Sequence, residues 1–217
     1  MLNDAEFEMK RERLFHHLAL RIRDERVVEA MERVPRERFI PQEARDAAYD
    51  DNPLPIGKGQ TISQPYIIAL MTEALSLTGT ELVLEIGTGS GYQAAILALL
   101  ARKVVSVERH PELIENARGT LDDLGYDNIE IHQAKNGLGW PEEAPYDGII
   151  VTAAAPEVPQ PLIDQLDMKG RLVIPVGGRY EQTLLRITRE RWGVSTENLG
   201  GCRFVPLIGE DAWTRDK

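Results

Sequence analysis

Cysteine is almost absent from this sequence, since Cys202 is the one cysteine among 217 residues. A single thiol excludes an intramolecular disulfide and a zinc site built from several cysteines. The longest apolar stretch, 94–101, is far shorter than the roughly 20 residues that cross a bilayer. The first residues are acidic and lack the apolar core of a signal peptide. We therefore expect a cytoplasmic protein that does not associate with membranes.

Basic residues are also fewer than acidic residues in this sequence. The sequence has 25 Lys and Arg against 35 Asp and Glu, a formal net charge of -10 at pH 7. Excess carboxylates repel a phosphate backbone, so nucleic acid is not an expected partner, although a nucleotide-like small molecule held in a pocket is not excluded. The four histidines do not show a metal-ligand spacing with carboxylates, and we expect no metal site.

The chain divides into three regions that we expect to form one domain over 1–217. Region 1–34 is charged and has apolar residues at helical spacing, which predicts two short helices divided near Asp24 and an amphipathic cover for the main domain. Region 35–64 loses this period and is rich in Pro and Gly, as is typical of a functional loop. Region 65–217 is expected to form an α/β core.

Beyond Pro65, helical and β-rich runs alternate, which is typical of a parallel sheet with crossover helices. The fold class expected is α/β, a doubly wound and mostly parallel sheet with a β-rich C-terminal end. The predicted helices are 65–77, 92–101, 111–124 and 159–166. The predicted strands are 82–86, 104–107, 129–131, 148–151 and 171–175, with 183–188 and 203–207 closing the sheet as an antiparallel pair.

The strongest local signal is the run LVLEIGTGSG at 82–91, a strand that leads into a glycine-rich turn and a helix. Glycines let the backbone approach a ligand closely, and the helix N-terminus offers free N–H groups. The acid Glu85 at the strand end would repel a pyrophosphate, which disfavours a nicotinamide dinucleotide. It suits the cationic sulfonium and amine of S-adenosylmethionine. Glu108 ends the next strand, where doubly wound folds place a ribose-binding acid. A tight turn without a ligand is the remaining alternative.

Longer segments give a more specific signal, in order along nearly the whole chain. They are VPRERF at 34–39, LPIG at 54–57, GQTISQP at 59–65, the glycine turn to Tyr92, APYD at 144–147, VTAA at 151–154, LVIPVG at 172–177 and RFVPL at 203–207. With these segments the chain resembles the protein-L-isoaspartate O-methyltransferases. The resemblance implies the fold of S-adenosylmethionine-dependent methyltransferases. It also implies methylation of the α-carboxylate of isoaspartyl residues in damaged proteins or peptides, with repair through a succinimide. We expect a monomer.

The resemblance also implies roles for particular residues. On the residues alone, Ser63 is favoured as the N-cap of the helix that follows, but the resemblance reverses this preference because Ser63 matches the family's active-site serine. The remaining implied contacts fall into two groups. Cofactor contacts are expected from Thr61, Ile62, Glu85, Gly87, Thr88, Gly89, Gly91, Glu108 and Asn136. Substrate contacts are expected from Pro175, Val176, Val205 and Pro206.

One departure from the family pattern concerns the adenine contact. The family usually has Gly-Asp-Gly after the third strand of the core, where the Asp accepts a hydrogen bond from the adenine amino group. In this sequence the run at 134–137 reads AKNG, which places Lys135 at the Asp position. Lysine cannot accept that bond, whereas a one-residue shift would offer the amide oxygen of Asn136. Lys135 therefore motivates one alternative function, a homologue that binds cofactor without turnover. A second alternative, independent of Lys135, is a related methyltransferase acting on aspartate in a dedicated peptide.

Overall fold

The computed structural model describes residues 2–214, so residue 1 and residues 215–217 of the predicted domain lie outside the described residues. The α-helices within this range are α1 Asp4–Ala19, α2 Glu25–Arg33, α3 Pro65–Leu75, α4 Tyr92–Ala98, α5 Pro111–Asp123 and α6 Gln160–Asp164. The strands are β1 Leu54–Gly57, β2 Gln60–Ile62, β3 Leu82–Ile86, β4 Lys103–Glu108, β5 Ile129–Gln133, β6 Tyr146–Val151, β7 Leu166–Gly177, β8 Gln182–Glu190 and β9 Gly193–Cys202.

Seven strands form the main sheet in the order β5-β4-β3-β6-β7-β8-β9. Neighbours from β5 to β7 are parallel, and β8 and β9 are added as antiparallel hairpin strands. From β3 the chain adds β4 and β5 on one side of the sheet, and it then returns to place β6 on the other side of β3. The strand order therefore changes direction between β3 and β6. Ligands of open α/β sheets bind outside the carboxyl ends of the strands at such a switch point. The predicted fold class is confirmed, and the sheet places the glycine turn after β3 at this position.

The central strands are buried on both faces, as expected for a parallel sheet covered by helices. Alternate residues such as Val83 and Ile150 pack with α3 and α4 on one face. Their neighbours Leu84 and Ile149 pack on the other face with Leu162 of α6. Because both ends of each strand are fixed by this packing, the loops at the carboxyl ends start from a rigid base.

The N-terminal helices pack on helices of the main domain and form the predicted helical cover. Asn3 caps α1 in a reciprocal pair with Glu6, and the Asp24 side chain caps α2. The buried faces of both helices join one apolar cluster with residues of α4 and α5, including Phe7 and Met31. None of the helices among the described residues combines the length and the hydropathy that a bilayer crossing requires.

Two predictions about the strands were wrong. The last strand is Gly193–Cys202 and not 203–207, where Pro206 makes only an isolated bridge to Ala154. An exposed edge strand carries no alternation of apolar residues, so its sequence pattern is weak. Region 35–64 also contains the short β1–β2 hairpin, which sequence reasoning treated as loop. This hairpin carries Thr61 and Ile62 to the edge of the site.

Candidate active site

Three cavities meet at the carboxyl ends of β3 and β6. The central cavity, of about 590 Å³, is bounded by the glycine turn and by residues 60–63. It shares Glu108 and Gly87 with a second cavity of about 610 Å³, which we call the Asn136 cavity. On its other side it shares Ser63 and Thr152 with a third of about 740 Å³, which we call the Arg203 cavity. The three together form a branched cleft.

The glycine turn requires its glycines at two points. Gly87 has a φ of +98°, and a Cβ built there would lie 2.3 Å from Thr152 Oγ1. The same hydroxyl donates to the Gly87 carbonyl oxygen at 2.7 Å and fixes the turn against β6. Gly91 has a φ of +89° and packs against Ala117 of α5. A side chain at either position would strain the backbone and meet a neighbouring side chain, so the turn requires glycine at both.

Glu108 is buried at the end of β4 and lines both the central cavity and the Asn136 cavity. Its Oε2 accepts from the Gly89 N–H at 3.0 Å. Its Oε1 accepts from the N–H groups of Arg109 and His110 at 2.8 and 2.9 Å. These bonds fix the carboxylate while leaving lone-pair capacity on Oε2. The arrangement suits a pair of ribose hydroxyls.

Glu85 lies beneath the turn and is not among the residues that line the three cavities. Its fully buried carboxyl accepts a short hydrogen bond from Ser106 Oγ, which lies 2.5 Å from Thr88 Oγ1 in the cavity wall. Burial raises the pKa of Glu85 to about 8, with a smaller contribution from the charge of Glu108, while the Ser106 hydrogen bond opposes the rise. Glu85 is thus connected to the wall of the central cavity through Ser106 and Thr88, and its direct contact with a cofactor stays a prediction.

Ser63 is not the N-cap of α3, so that reading of the sequence was wrong. Gln64 occupies the cap position without a side-chain hydrogen bond. The N–H of Tyr66, in the first turn of α3, donates to Asp51 Oδ1 at 2.9 Å. Within residues 2–214 the Ser63 hydroxyl has no hydrogen-bond partner. Ser63 is partly exposed at the junction of the central and Arg203 cavities. Its hydroxyl is free to bind a ligand there.

Lys135 and Asn136 both line the Asn136 cavity. The Lys135 ammonium pairs with Glu142 and lies 4.1 Å from the centre of the Trp140 ring. It is thus engaged by neighbours that do not line the cavity, while Asn136 is exposed at the cavity. The adenine role of Asn136 stays a prediction, now with a compatible position.

The four residues expected to contact substrate do not share one surface. Val205 lies at the junction of the central and Arg203 cavities, but Pro206 lines the Asn136 cavity. Pro175 is buried at the end of β7, and Val176 bridges to Ala155. Neither is among the lining residues of the three cavities. Of these four, Val205 has the position best suited to a peptide.

Several lining residues of the cleft were not predicted from the sequence, among them three polar residues. Gln60 lies between the central and Asn136 cavities, Thr152 lies between the central and Arg203 cavities, and Arg203 lines the cavity that bears its name. Each belongs to a segment that carries the family resemblance, so the resemblance marked the segment but not the individual residue. Which residues of a segment face a cleft depends on tertiary packing.

A polar cluster lies near the Asn136 cavity. Ligand atoms of Glu130, His132 and Glu143 lie within 4.8 Å of one another. The Lys103 ammonium contacts both carboxylates, at 2.8 Å from Glu130 and 2.6 Å from Glu143, and so takes the position of a cation between them. This geometry is that of an ion-pair network and gives no support for a metal ion.

Comparison with known proteins decides between the families that share this fold. Residues 9–212 match the family model of the protein-L-isoaspartate(D-aspartate) O-methyltransferases. The chain belongs to this family. A relative from Syntrophus aciditrophicus, a protein-L-isoaspartate O-methyltransferase, is 58% identical over 87% of this chain and 88% of its own. A relative of the same description from Dictyoglomus thermophilum is 54% identical over 96% of this chain and 95% of its own.

Solved structures of methyltransferases of this family agree with the fold. A protein-L-isoaspartate O-methyltransferase superposes with a TM-score of 0.82 at 30% identity, covering 93% of this chain and 67% of its own. A Plasmodium falciparum structure, described as a beta-aspartate methyltransferase in complex with S-adenosyl-L-homocysteine, has a TM-score of 0.76 at 27% identity over 88% of this chain and 95% of its own. The branched cleft is therefore the candidate active site of a family member.

Proposed function

We propose that this protein transfers the methyl group of S-adenosylmethionine to the α-carboxylate of L-isoaspartyl residues in damaged proteins. The methyl ester then collapses to a succinimide, whose hydrolysis returns part of the material to normal aspartate. The observation that carries the proposal is the position of Ser63, between the cavity of the glycine turn and the open Arg203 cavity. Donor and acceptor can meet there.

The residues of the cleft fit S-adenosylmethionine. Glycines at positions 87, 89 and 91 have positive φ, which lets the backbone turn tightly between β3 and α4. Glu108 offers an acceptor to ribose, and Thr61, Ile62 and Thr88 form walls of the central cavity. When bound, this cofactor supplies an electrophilic methyl group on a sulfonium sulfur. We assign the adenine end to the Asn136 cavity and the methionine end to the central cavity.

The chemistry asks little of the protein beyond alignment. A peptide carboxylate has a pKa near 4 and is ionised at neutral pH, so it needs no general base. The described lining of the central cavity contains neither lysine nor arginine, whose charge would weaken the nucleophile. We propose that the neutral Ser63 hydroxyl donates to one carboxylate oxygen and leaves the other in line with the methyl carbon. Alignment of this kind supplies much of the rate.

The peptide is proposed to lie in the Arg203 cavity, with Val205 at its inner edge. An isoaspartyl residue adds one methylene to the backbone and presents its α-carboxylate as a short branch. A normal aspartyl side chain reaches the same place displaced by about a bond length, and misplacement of about 1 Å can reduce the rate roughly a hundredfold. Pro175, Val176 and Pro206 would support the cavity walls.

The surface charge bears on the partners of the protein. The net charge of -10 favours protein and peptide substrates over nucleic acid. We further propose that the protein acts in the cytoplasm, away from membranes and as a monomer.

The test is an incubation with methyl-labelled cofactor and two peptides that differ only in carrying isoaspartate or aspartate. The expected result is label in the isoaspartyl peptide alone, and slower labelling by Ser63→Ala with cofactor affinity unchanged. Equal labelling of both peptides would support a methyltransferase for ordinary aspartate and refute repair. Binding of cofactor without labelling of either peptide would identify a homologue that has lost turnover.

A further inference from the structure

Arg36 is a fully buried arginine in the segment 34–39 and is not among the residues that line the three cavities. Its Nε donates to the Ala48 carbonyl oxygen at 2.9 Å, and its Nη2 donates to the Ser63 carbonyl oxygen at 2.9 Å. The guanidinium carbon lies 5.0 Å from the centre of the Tyr92 ring, which lines the central cavity. Arg36 thus links the main chain of Ser63 to the wall of the cofactor cavity.

Burial of this charge is costly, and the protein does not compensate for it fully. Nη1 is buried without a hydrogen-bond partner among the described residues. Burial lowers the pKa of the guanidinium, although an arginine keeps its charge in proteins. An apolar side chain would fill the same space without this cost. A buried, incompletely paired arginine that holds the Ser63 carbonyl oxygen therefore points to a role other than stability.

Asp51 binds the residues that follow Ser63. Its Oδ2 accepts from Gln64 Nε2 at 2.9 Å, and its Oδ1 accepts from the Tyr66 N–H at 2.9 Å. The residues before and after the Ser63–Gln64 peptide bond are therefore fixed by two side chains from region 35–52. The Ser63 hydroxyl itself stays unbonded between these anchors.

We propose that Arg36 and Asp51 are positioning residues for methyl transfer, which together clamp the main chain around Ser63 and aim its hydroxyl at the substrate carboxylate. The inference rests on the proposed function. It requires that loss of an anchor slows turnover through Ser63, whereas a purely structural contact would lower stability and leave the turnover of the folded protein unchanged.

Asp51→Ala is the main variant, because the side chain lies at a partly exposed position. The matched control is Asp50→Ala, which removes the 2.8 Å ion pair with Lys10, since Asp50 has no side-chain hydrogen bond or ion pair with residues 63–66 of the described chain. We expect Asp51→Ala to lower kcat for an isoaspartyl peptide about tenfold with cofactor affinity within about threefold, since small misalignments are costly in rate. The control should match the wild type. Arg36→Lys, which keeps the charge but lacks the planar fork, should also lower kcat.

A double-mutant cycle with Ser63→Ala separates positioning from structure. The expected result is that Asp51→Ala lowers kcat less than about twofold once the Ser63 hydroxyl is absent. An equal loss in both backgrounds, or an unchanged kcat in Asp51→Ala, would overturn the inference while leaving the proposed function intact. If Arg36→Lys does not fold, the Asp51 cycle still decides. A wild type that fails to methylate the isoaspartyl peptide would refute the proposed function and this inference with it.

Discussion

Replacement of Glu85 by glutamine should make the protein more stable at neutral pH. The folded protein holds the Glu85 proton up to a pKa of about 8, whereas the ordinary value for glutamate is 4.5. Between these values folding takes up a proton, because the unfolded chain has released it and the folded chain has not. The free energy of unfolding therefore falls as the pH rises through this window and levels off above about pH 8.

The magnitude follows from the two pKa values. Each pH unit inside the window lowers the free energy of unfolding by at most about 1.4 kcal/mol, so the upper limit of the loss at pH 7 is about 3 kcal/mol. Glutamine has the same shape, stays neutral, and can accept the hydrogen bond from Ser106. The Glu85→Gln protein should lack this part of the pH dependence.

Urea unfolding at a series of pH values measures the difference directly. Wild type and Glu85→Gln should have similar stability near pH 5 and should diverge as the pH rises toward 8. Glu115→Gln, at an exposed position of α5, is the control and should follow the wild type. Parallel pH curves for wild type and Glu85→Gln would refute the assignment of a protonated carboxyl beneath the turn.

Three further predictions concern the cofactor site. Gly87→Ala should bind cofactor more weakly in calorimetry and lose about 1–3 kcal/mol of stability in thermal unfolding, because φ at Gly87 is positive and an added Cβ would meet Thr152. In the same assays Gly119→Ala, where an added Cβ meets open space, should be neutral or stabilising. Glu108→Ala should weaken cofactor binding tenfold or more in calorimetry, and unchanged affinity would remove Glu108 from the site. Lys135→Asp should tighten cofactor binding about tenfold by supplying an acceptor, and weaker binding would mean that another group serves the adenine.

The strands of the core were predictable because buried parallel strands are nearly continuous apolar runs. β3 and β4 are such runs, and they alternate with helices at regular spacing. β9 was not predictable, because an exposed edge strand with several glycines has no face to bury. Its existence depends on the hairpin with β8, which fixes its backbone without help from an apolar pattern.

The candidate site was predictable as a set of segments, and less so as individual contacts. A strand places successive side chains on opposite faces, so the sequence could not tell whether Glu85 points at the ligand or beneath the turn. The cap of α3 was not predicted for a different reason. Tyr66 receives its acceptor from Asp51, which is distant in sequence and therefore outside the reach of a capping rule based on neighbours.

A crystal structure of the protein with S-adenosylhomocysteine and an isoaspartyl peptide would decide whether donor and acceptor meet at Ser63. We expect adenine in the Asn136 cavity, ribose on Glu108 and the homocysteine sulfur in the central cavity. The decisive quantity is the distance from Ser63 Oγ to the nearest oxygen of the peptide α-carboxylate. We predict a distance of about 2.6–3.0 Å, the range of a hydrogen bond between a hydroxyl and a carboxylate. A peptide bound outside the Arg203 cavity, with its α-carboxylate beyond hydrogen-bond reach of Ser63, would contradict the proposed mechanism.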